Sequence, residues 1–343
     1  MRVLGVVLAV LLSLLVPVVA SASGGPRWVL KPTGTDAQFR GLSAVDSRVA
    51  WVSGSKGTVL RTVDGGTTWA SVGPPDTADL QFRDVQAFDA LHAVVLSIGN
   101  GDASRIYRTS DGGKSWTLVF RNTEEKAFYD CVAFFDRFRG LAMGDPVDGK
   151  FRVLSTVDGG KSWSLVPQEN FPPALEGEAG FAASGQCVAT SGPFDAWFGT
   201  GGGATARVLH SADGGRHWKA SDTPLLSLPS AGVFALAFRT PWQGIAIGGD
   251  YARPAEPVTG LALSANRGRT WSTPPQAPVG YRSGVAWRGG SVIAVGPTGS
   301  DVSVDGGRHW RSFDTGSFDT VDCTWMRVCW ASGEKGRVGV LRG

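Results

Sequence analysis

Charge is sparse in this sequence. Asp, Glu, Lys and Arg make up 18% of 343 residues, and 33 basic side chains nearly balance 30 acidic ones. A net charge of +3 gives no general attraction for a polyanion, so the total argues against nucleic acid and against an anionic membrane as partners. Histidine is scarce too, and His92, His210, His217 and His309 stand far apart. There are four cysteines, Cys131, Cys187, Cys323 and Cys329, and none has metal-ligand spacing, so no metal site is expected. No dinucleotide fingerprint is present, and the glycine-rich GTGGGATAR at 199–207 lacks the Lys-Ser/Thr ending of a phosphate loop. No cofactor is expected. Only one long apolar run exists, at the N-terminus.

That run, MRVLGVVLAVLLSLLVPVVASAS, carries a single positive charge and ends in Ala20-Ser21-Ala22, which fits an A-x-A cleavage site. It reads as an export signal over residues 1–22. Val3 to Ala20 barely reaches the length of a membrane span, and Pro17 with the cleavage motif weighs against an anchor. The expected protein is soluble in a periplasm or outside the cell, with no stable membrane insertion after cleavage. In an oxidising compartment the four cysteines can bridge. Cys323 and Cys329 flank Met326 symmetrically where two short strands fold back, and Cys131 and Cys187 lie at the same depth of adjacent repeats. The alternative for each is a buried thiol.

Glycine, at 48, and tryptophan, at 13, are abundant, and they recur in one phrase. RTVDGGTTW stands at 61–69, RTSDGGKSW at 108–116, STVDGGKSW at 155–163, HSADGGRHW at 210–218, LSANRGRTW at 263–271 and VSVDGGRHW at 302–310. The tryptophans are 47, 47, 55, 53 and 39 residues apart. That period suits a four-stranded antiparallel sheet with its turns and is too long for leucine-rich or ankyrin repeats. In the first period GLSAVD, VAWVSG and TVLRTV lead into the turn and TTWASV follows it, which makes four strands. A seventh period begins at Thr320 and ends with the chain after three strands, while SGGPRWVLKP at 23–32 supplies a turn end and a fourth strand around Trp28. The expected fold is all-β: a seven-bladed propeller of four-stranded antiparallel blades, one domain over 23–343. The N-terminal strand completes the last blade, so no edge is left unpaired.

In each phrase the acid or amide, Asp64, Asp111, Asp158, Asp213, Asn266 or Asp305, can accept backbone N–H bonds, and the glycines supply positive φ. Peripheral hairpins of this kind are a folding device, so these side chains are expected to be structural. No catalytic residue is assigned.

Six copies of S/T-x-D-G-G-x-x-W resemble the Asp-box (bacterial neuraminidase repeat) β-propellers, and the size, blade count and export signal look most like the photosystem II stability/assembly factor-related group. That resemblance covers about residues 24–343 and is specific for architecture rather than function. It implies a non-enzymatic exported protein that binds a protein or peptide, with a role in assembly or stabilisation of an envelope or photosynthetic membrane complex and a membrane-protein subunit as partner. A monomer is expected. The alternative is a glycan-binding or sialidase-like propeller, although the sialidase F-R-I-P signature is absent: the nearest phrases are Phe39-Arg40-Gly41-Leu42 and Phe82-Arg83-Asp84-Val85.

Ligands of propellers bind where the innermost strands begin, at the rim of the central channel. Aligned on Ala44, Ala87, Ala133, Ala189 and Ala286, the residue four earlier is Arg40, Arg83, Tyr129, Gly185 and Arg282, with Phe234 and Asp319 in blades 5 and 7; the next level holds Asp84, Asp130, Gln186 and Ser283. The expected binding rim is Arg40, Arg83, Asp84, Tyr129, Asp130, Glu178, Tyr281 and Arg282, with Ser300-Asp301 as a further candidate. Clustered arginines suit a carboxylate, a C-terminal peptide tail or an acidic loop. A glycosidase would need Tyr281 and Glu178 in contact, facing the arginines.

Overall fold

The computed structural model describes residues 24–343, and the export signal expected over residues 1–22 lies outside the described residues. Seven antiparallel sheets surround a common axis. Blade 1 comprises Phe39–Ala44, Ala50–Gly54, Val59–Thr62 and Ala70–Ser71, ordered from the channel outward. Its second strand, AWVSG, is buried along its whole length, as a strand covered on both faces must be. Blade 7 comprises Thr320–Cys323, Cys329–Ser332 and Val338–Arg342, and Arg27–Leu30 pairs with the last of these in a register running from Arg27↔Arg342 to Leu30↔Gly339. The ring therefore closes through backbone hydrogen bonds, and residues 24–343 contain every strand pairing in it. Blade 5 departs from the pattern. After Ala231–Thr240, Gln243–Asp250 and Leu261–Ser264, its fourth strand shrinks to a single bridge, Leu263↔Ser272. Pro274 and Pro275 follow at once, and proline cannot donate to a ladder.

The core lies between blades. Trp51 and Val59 of blade 1 pack with Phe82, Val85, Val95 and Tyr107 of blade 2, and comparable apolar layers fill the other interfaces. The repeated turn has one geometry. In the first copy the Thr68 N–H donates to Asp64 Oδ1 at 2.9 Å, the Thr68 hydroxyl to Oδ2 at 2.7 Å, and the Gly66 N–H to Thr62 Oγ1 at 2.9 Å. The Thr68 N–H, then its hydroxyl, hold the Asp64 carboxyl down at about 2. Asn266 substitutes in blade 5, accepting the Thr270 N–H at 3.0 Å. The second glycine of the turn explains why six copies are needed. Gly215 has φ +87, and a Cβ there would stand 2.6 Å from Leu141 of the preceding blade; at Gly268 the neighbour is Trp197, again one blade back. Each turn thus seats its blade against the one before it.

Both disulfides are formed. Cys131–Cys187 ties blade 3 to blade 4, and Cys323–Cys329 clamps the first hairpin of blade 7. Among the described residues no helix is long and apolar enough to cross a membrane.

Candidate functional site

The inner strands begin at one mouth of the channel, and four of them carry an extra residue there. Pairing of first and second strands skips Arg40 between Phe39 and Gly41, Arg83 between Phe82 and Asp84, Asp130 between Tyr129 and Cys131, and Phe234 between Val233 and Ala235. A bulge at the same level in four blades re-aims these side chains toward the axis. The hairpins fix the correspondence: Ala44↔Ala50, Ala87↔Ala93, Phe134↔Gly140 and Cys323↔Cys329 enclose equal tips. The counterpart of Ala44 in blade 3 is therefore Phe134, not Ala133, and the counterpart of Arg40 and Arg83 is Asp130, not Tyr129. In blade 4 the equal pair is Thr190↔Ala196, which puts Gln186 at this level in place of Gly185.

A slip of one residue moves a strand side chain to the opposite face. Tyr129 accordingly lies in the layer between blades, edge-on to Phe120, just as Phe82 meets Tyr107; burial, then Glu124, push its phenol up to about 12. Arg282 is buried within blade 6, where Nε donates to Asp301 Oδ2 at 2.6 Å and Nη1 to Thr298 Oγ1 at 2.8 Å. Ser300 accepts the Trp28 indole N–H. Glu178 is buried away from the mouth, with both oxygens held by Arg207, one also by the Thr200 hydroxyl and the other by the Leu175 N–H. It does not meet Tyr281, so the pair a glycosidase would need is not assembled. Asp84 is a staple: Oδ1 accepts the Val85 N–H and Oδ2 the Val132 N–H of the next blade, both at 2.7 Å, and burial raises its pKa.

Arg40, Arg83 and Tyr281 do come together. They line a cavity of about 400 Å³ with Gln38, Asp319, Phe181, Phe234, Tyr251, Pro254 and Pro297, and Glu334 stands at its lip. Its floor is a strap, Gly180–Gln186, that crosses the channel. The Gly180 N–H donates to Asp145 Oδ1 at 2.7 Å, Phe181 stacks on Phe234 with ring centres 4.0 Å apart, and Gln186 Nε2 donates to the Val285 and Val321 carbonyls, each at 3.0 Å. Gly185 has φ +71, and a Cβ there would stand 2.4 Å from Asp84, so only glycine lets the strap descend. Below it the channel continues as a second cavity lined by Asp84, Gln186 and Asp322. The strap was not legible in the sequence, because GEAGFAASG follows neither strand nor turn pattern.

The strap also receives the arginines. Arg83 Nη1 donates to the Ala182 carbonyl at 2.9 Å and Arg40 Nη1 to the Ala183 carbonyl at 3.4 Å, while the buried Nε of Arg40 has no partner. Desolvation, then repulsion from Arg40, lower Arg83 to about 10, and that repulsion outweighs the attraction of Asp319. Burial raises the Asp319 carboxyl against the pull of Arg40 and Gln38. Burial likewise keeps the Tyr281 phenol neutral. Two guanidiniums thus share an enclosed space with one inward-facing acid that is itself reluctant to ionise. Beneath the strap Asp130 and Asp145 form an acidic pair: burial, then Asp145, raise Asp130, and burial pushes Asp145 up to about 6.

The fold and the mouth define a closed seven-bladed β-propeller with a strapped, arginine-bearing channel pocket. Among solved structures, that of YCF48 bound to D1 peptide is similar at TM-score 0.65 and 17% identity over 92% of this chain and 95% of that one. YCF48 from Cyanidioschyzon merolae gives the same score and identity over 92% and 98%, and the WD40 β-propeller domain of Doa1 gives 0.57 and 12% over 92% and 97%. No family model matches the sequence, and no curated protein matches it.

Proposed function

We propose that this chain is an exported, non-enzymatic binding platform whose channel mouth takes an acidic peptide segment of a protein partner. The observation that carries this reading is the Arg40–Arg83 pair, crowded together in a half-buried cavity with the Arg40 Nε unpartnered. A ligand carboxylate would relieve that repulsion with charge-assisted bonds. Phe181, Phe234, Tyr281 and Pro297 offer apolar wall for a neighbouring side chain, and about 400 Å³ holds one or two residues, not a folded domain. A role in assembling or stabilising a membrane complex, with a membrane-protein subunit supplying the segment, agrees with the resemblance of the repeats and with the D1 peptide bound by the similar propeller YCF48. The test is fluorescence anisotropy with a panel of labelled peptides ending in acidic residues, free or amidated at the C-terminus. An acidic peptide should bind, and Arg40→Ala with Arg83→Ala should weaken it about a hundredfold. Equal binding by the double variant, or by neutral peptides, would remove the proposal.

A further inference from the structure

The face opposite the pocket is built from the tip joining first and second strands of each blade and, in blades 1 to 6, the D-G-G or N-R-G turn. The two are tied together. The first turn glycine donates its N–H to the tip carbonyl, Gly112 to Leu91 at 2.9 Å, and Gly159 to Phe138 and Gly214 to Phe194 at 2.8 Å. By the repeat, the tips stand at one level around the ring. Four of them expose a large ring, Phe138, Phe194, Trp242 and Trp325, and Met326 stands beside the last; Trp325 is 89% exposed. The Cys323–Cys329 bridge clamps the hairpin that carries it.

Cations surround these rings. Lys114, Lys161, Arg216, Arg269 and Arg308, each exposed, follow the second glycine of five turns. Arg137 and Arg327 are exposed at tips, Arg137 with one nitrogen donating to Asp89 Oδ2 of the preceding blade at 2.9 Å, and Arg267 lies over the Trp242 ring at 4.5 Å. Several aspartates here are drawn into their own turns, as where Asp136 Oδ1 accepts the Phe138 and Arg139 N–H groups at 2.8 Å, while Asp89 pairs with Arg137 and Asp195 with Arg267. Glu124, Glu125, Glu176, Glu178, Glu256 and Glu334 lie in the connections on the other side of the ring, while Glu169 is next to Asn170, whose carbonyl accepts the Trp218 N–H at the foot of the blade 4 turn. A nearly neutral total thus conceals a separation by face, and an approaching surface meets basic ends and aromatic rings first.

We propose that this face docks on an anionic lipid bilayer, with the aromatic tips at headgroup level and the Lys and Arg ends against lipid phosphates, and with no segment crossing the membrane. Rings with basic neighbours are the side chains that favour such an interface. The exposed rings are spread over the tips of blades 3, 4, 5 and 7 around the channel, and a planar surface can meet them together where one protein segment would reach only a few. The channel mouth would then face away from the bilayer, free for its own ligand.

The experiment is co-sedimentation of residues 24–343 with vesicles of phosphatidylcholine alone and of phosphatidylcholine mixed with phosphatidylglycerol. Binding is expected to the mixed vesicles only and to fall with added salt. Trp242→Ala with Trp325→Ala should cut the bound fraction about tenfold. Arg137→Glu with Arg327→Glu should cut it about a hundredfold or more, whereas Lys126→Glu on the other face should leave it unchanged. No binding to anionic vesicles, or equal loss from Lys126→Glu, overturns the proposal. Binding to a soluble polyanion that is as tight and indifferent to both tryptophans also overturns it, in favour of an acidic soluble partner.

Discussion

Ring closure rests on Trp28, and replacing it by alanine tests whether the N-terminal strand holds the seventh blade. Trp28 is 8% exposed, packs against Phe313 and Phe318 with ring centres 6.0 and 5.2 Å apart, and donates its indole N–H to Ser300 Oγ of blade 6 at 3.0 Å. Truncating a buried tryptophan costs about 3–5 kcal/mol through lost transfer energy and the remaining cavity. The Ser300 hydroxyl, fully buried, loses its partner at a further cost of about 1 kcal/mol. Trp28→Ala should therefore lower the urea unfolding free energy of residues 24–343 by about 5 kcal/mol. Trp28→Phe keeps most of the packing and should lose only about 1–2 kcal/mol. Trp325→Ala supplies the contrast within one residue type, since that side chain stands in solvent and should shift stability by less than about 0.5 kcal/mol. If Trp28→Ala proved as mild as Trp325→Ala, the first strand would not be closing the ring.

The D-G-G turn makes a comparable contrast: Gly214→Ala meets nothing within 4 Å and should cost about 1 kcal/mol for its positive φ, whereas Gly215→Ala, driven onto Leu141, should cost about 2–3 kcal/mol more in the same urea titration. The disulfides should differ by span, with Cys131→Ala plus Cys187→Ala opening a separation of 56 residues and costing about 4 kcal/mol, against about 2 for the Cys323–Cys329 pair, separated by 6; equal losses in thermal unfolding would contradict this. Asp145 has its pKa raised by burial to about 6, so its proton is held more tightly in the folded chain, and its contribution to stability should be lost as pH rises from about 4 to 6, alongside those of the other buried carboxyls Asp84, Asp130, Asp319 and Asp322. Asp145→Asn keeps an acceptor for the Gly180 N–H and should make the slope between pH about 4 and 6 shallower; an unchanged slope in unfolding free energy against pH would refute the assignment.

The architecture was legible because its cause is local and repeated. Asp, two glycines and Trp at fixed spacing define a turn that only a narrow backbone geometry satisfies, and six copies, with one spare strand at the N-terminus and three at the C-terminus, leave a closed ring as the arrangement that pairs every edge. The pocket was legible only in part. Arg40, Arg83, Tyr281 and Asp319 meet at the mouth, but Tyr129 and Arg282 were placed by alanines that are out of step in blade 3 and do not mark the level in blade 6. Alanine is a poor marker because it fits on either face of a strand, while the bulges that set the level leave no compositional trace. The hairpin tips would have been the better ruler, since their length fixes the register on both sides.

Phe181, Ala182 and Ala183 escaped notice for a different reason. Their part in the site depends on a segment from between blades 3 and 4 reaching residues of blades 1, 2 and 5, and no pattern within the segment encodes those distant partners. What the segment does carry is Gly185, which the close approach to Asp84 requires. The strap then gives the two arginines their setting: without the Ala182 and Ala183 carbonyls beneath them, Arg40 and Arg83 would face an open channel and be hydrated. With it, they are held half-desolvated and close enough to repel each other. Gly185→Ala should therefore disturb ligand binding at the mouth as well as the fold, and should do so by releasing both arginines from the strap together. Deletion of either arginine removes one contact only. A Gly185→Ala variant that unfolds normally in urea yet has lost acidic-peptide binding would assign to the strap the organisation of the pocket, whereas unimpaired binding would mean that the arginines need no floor.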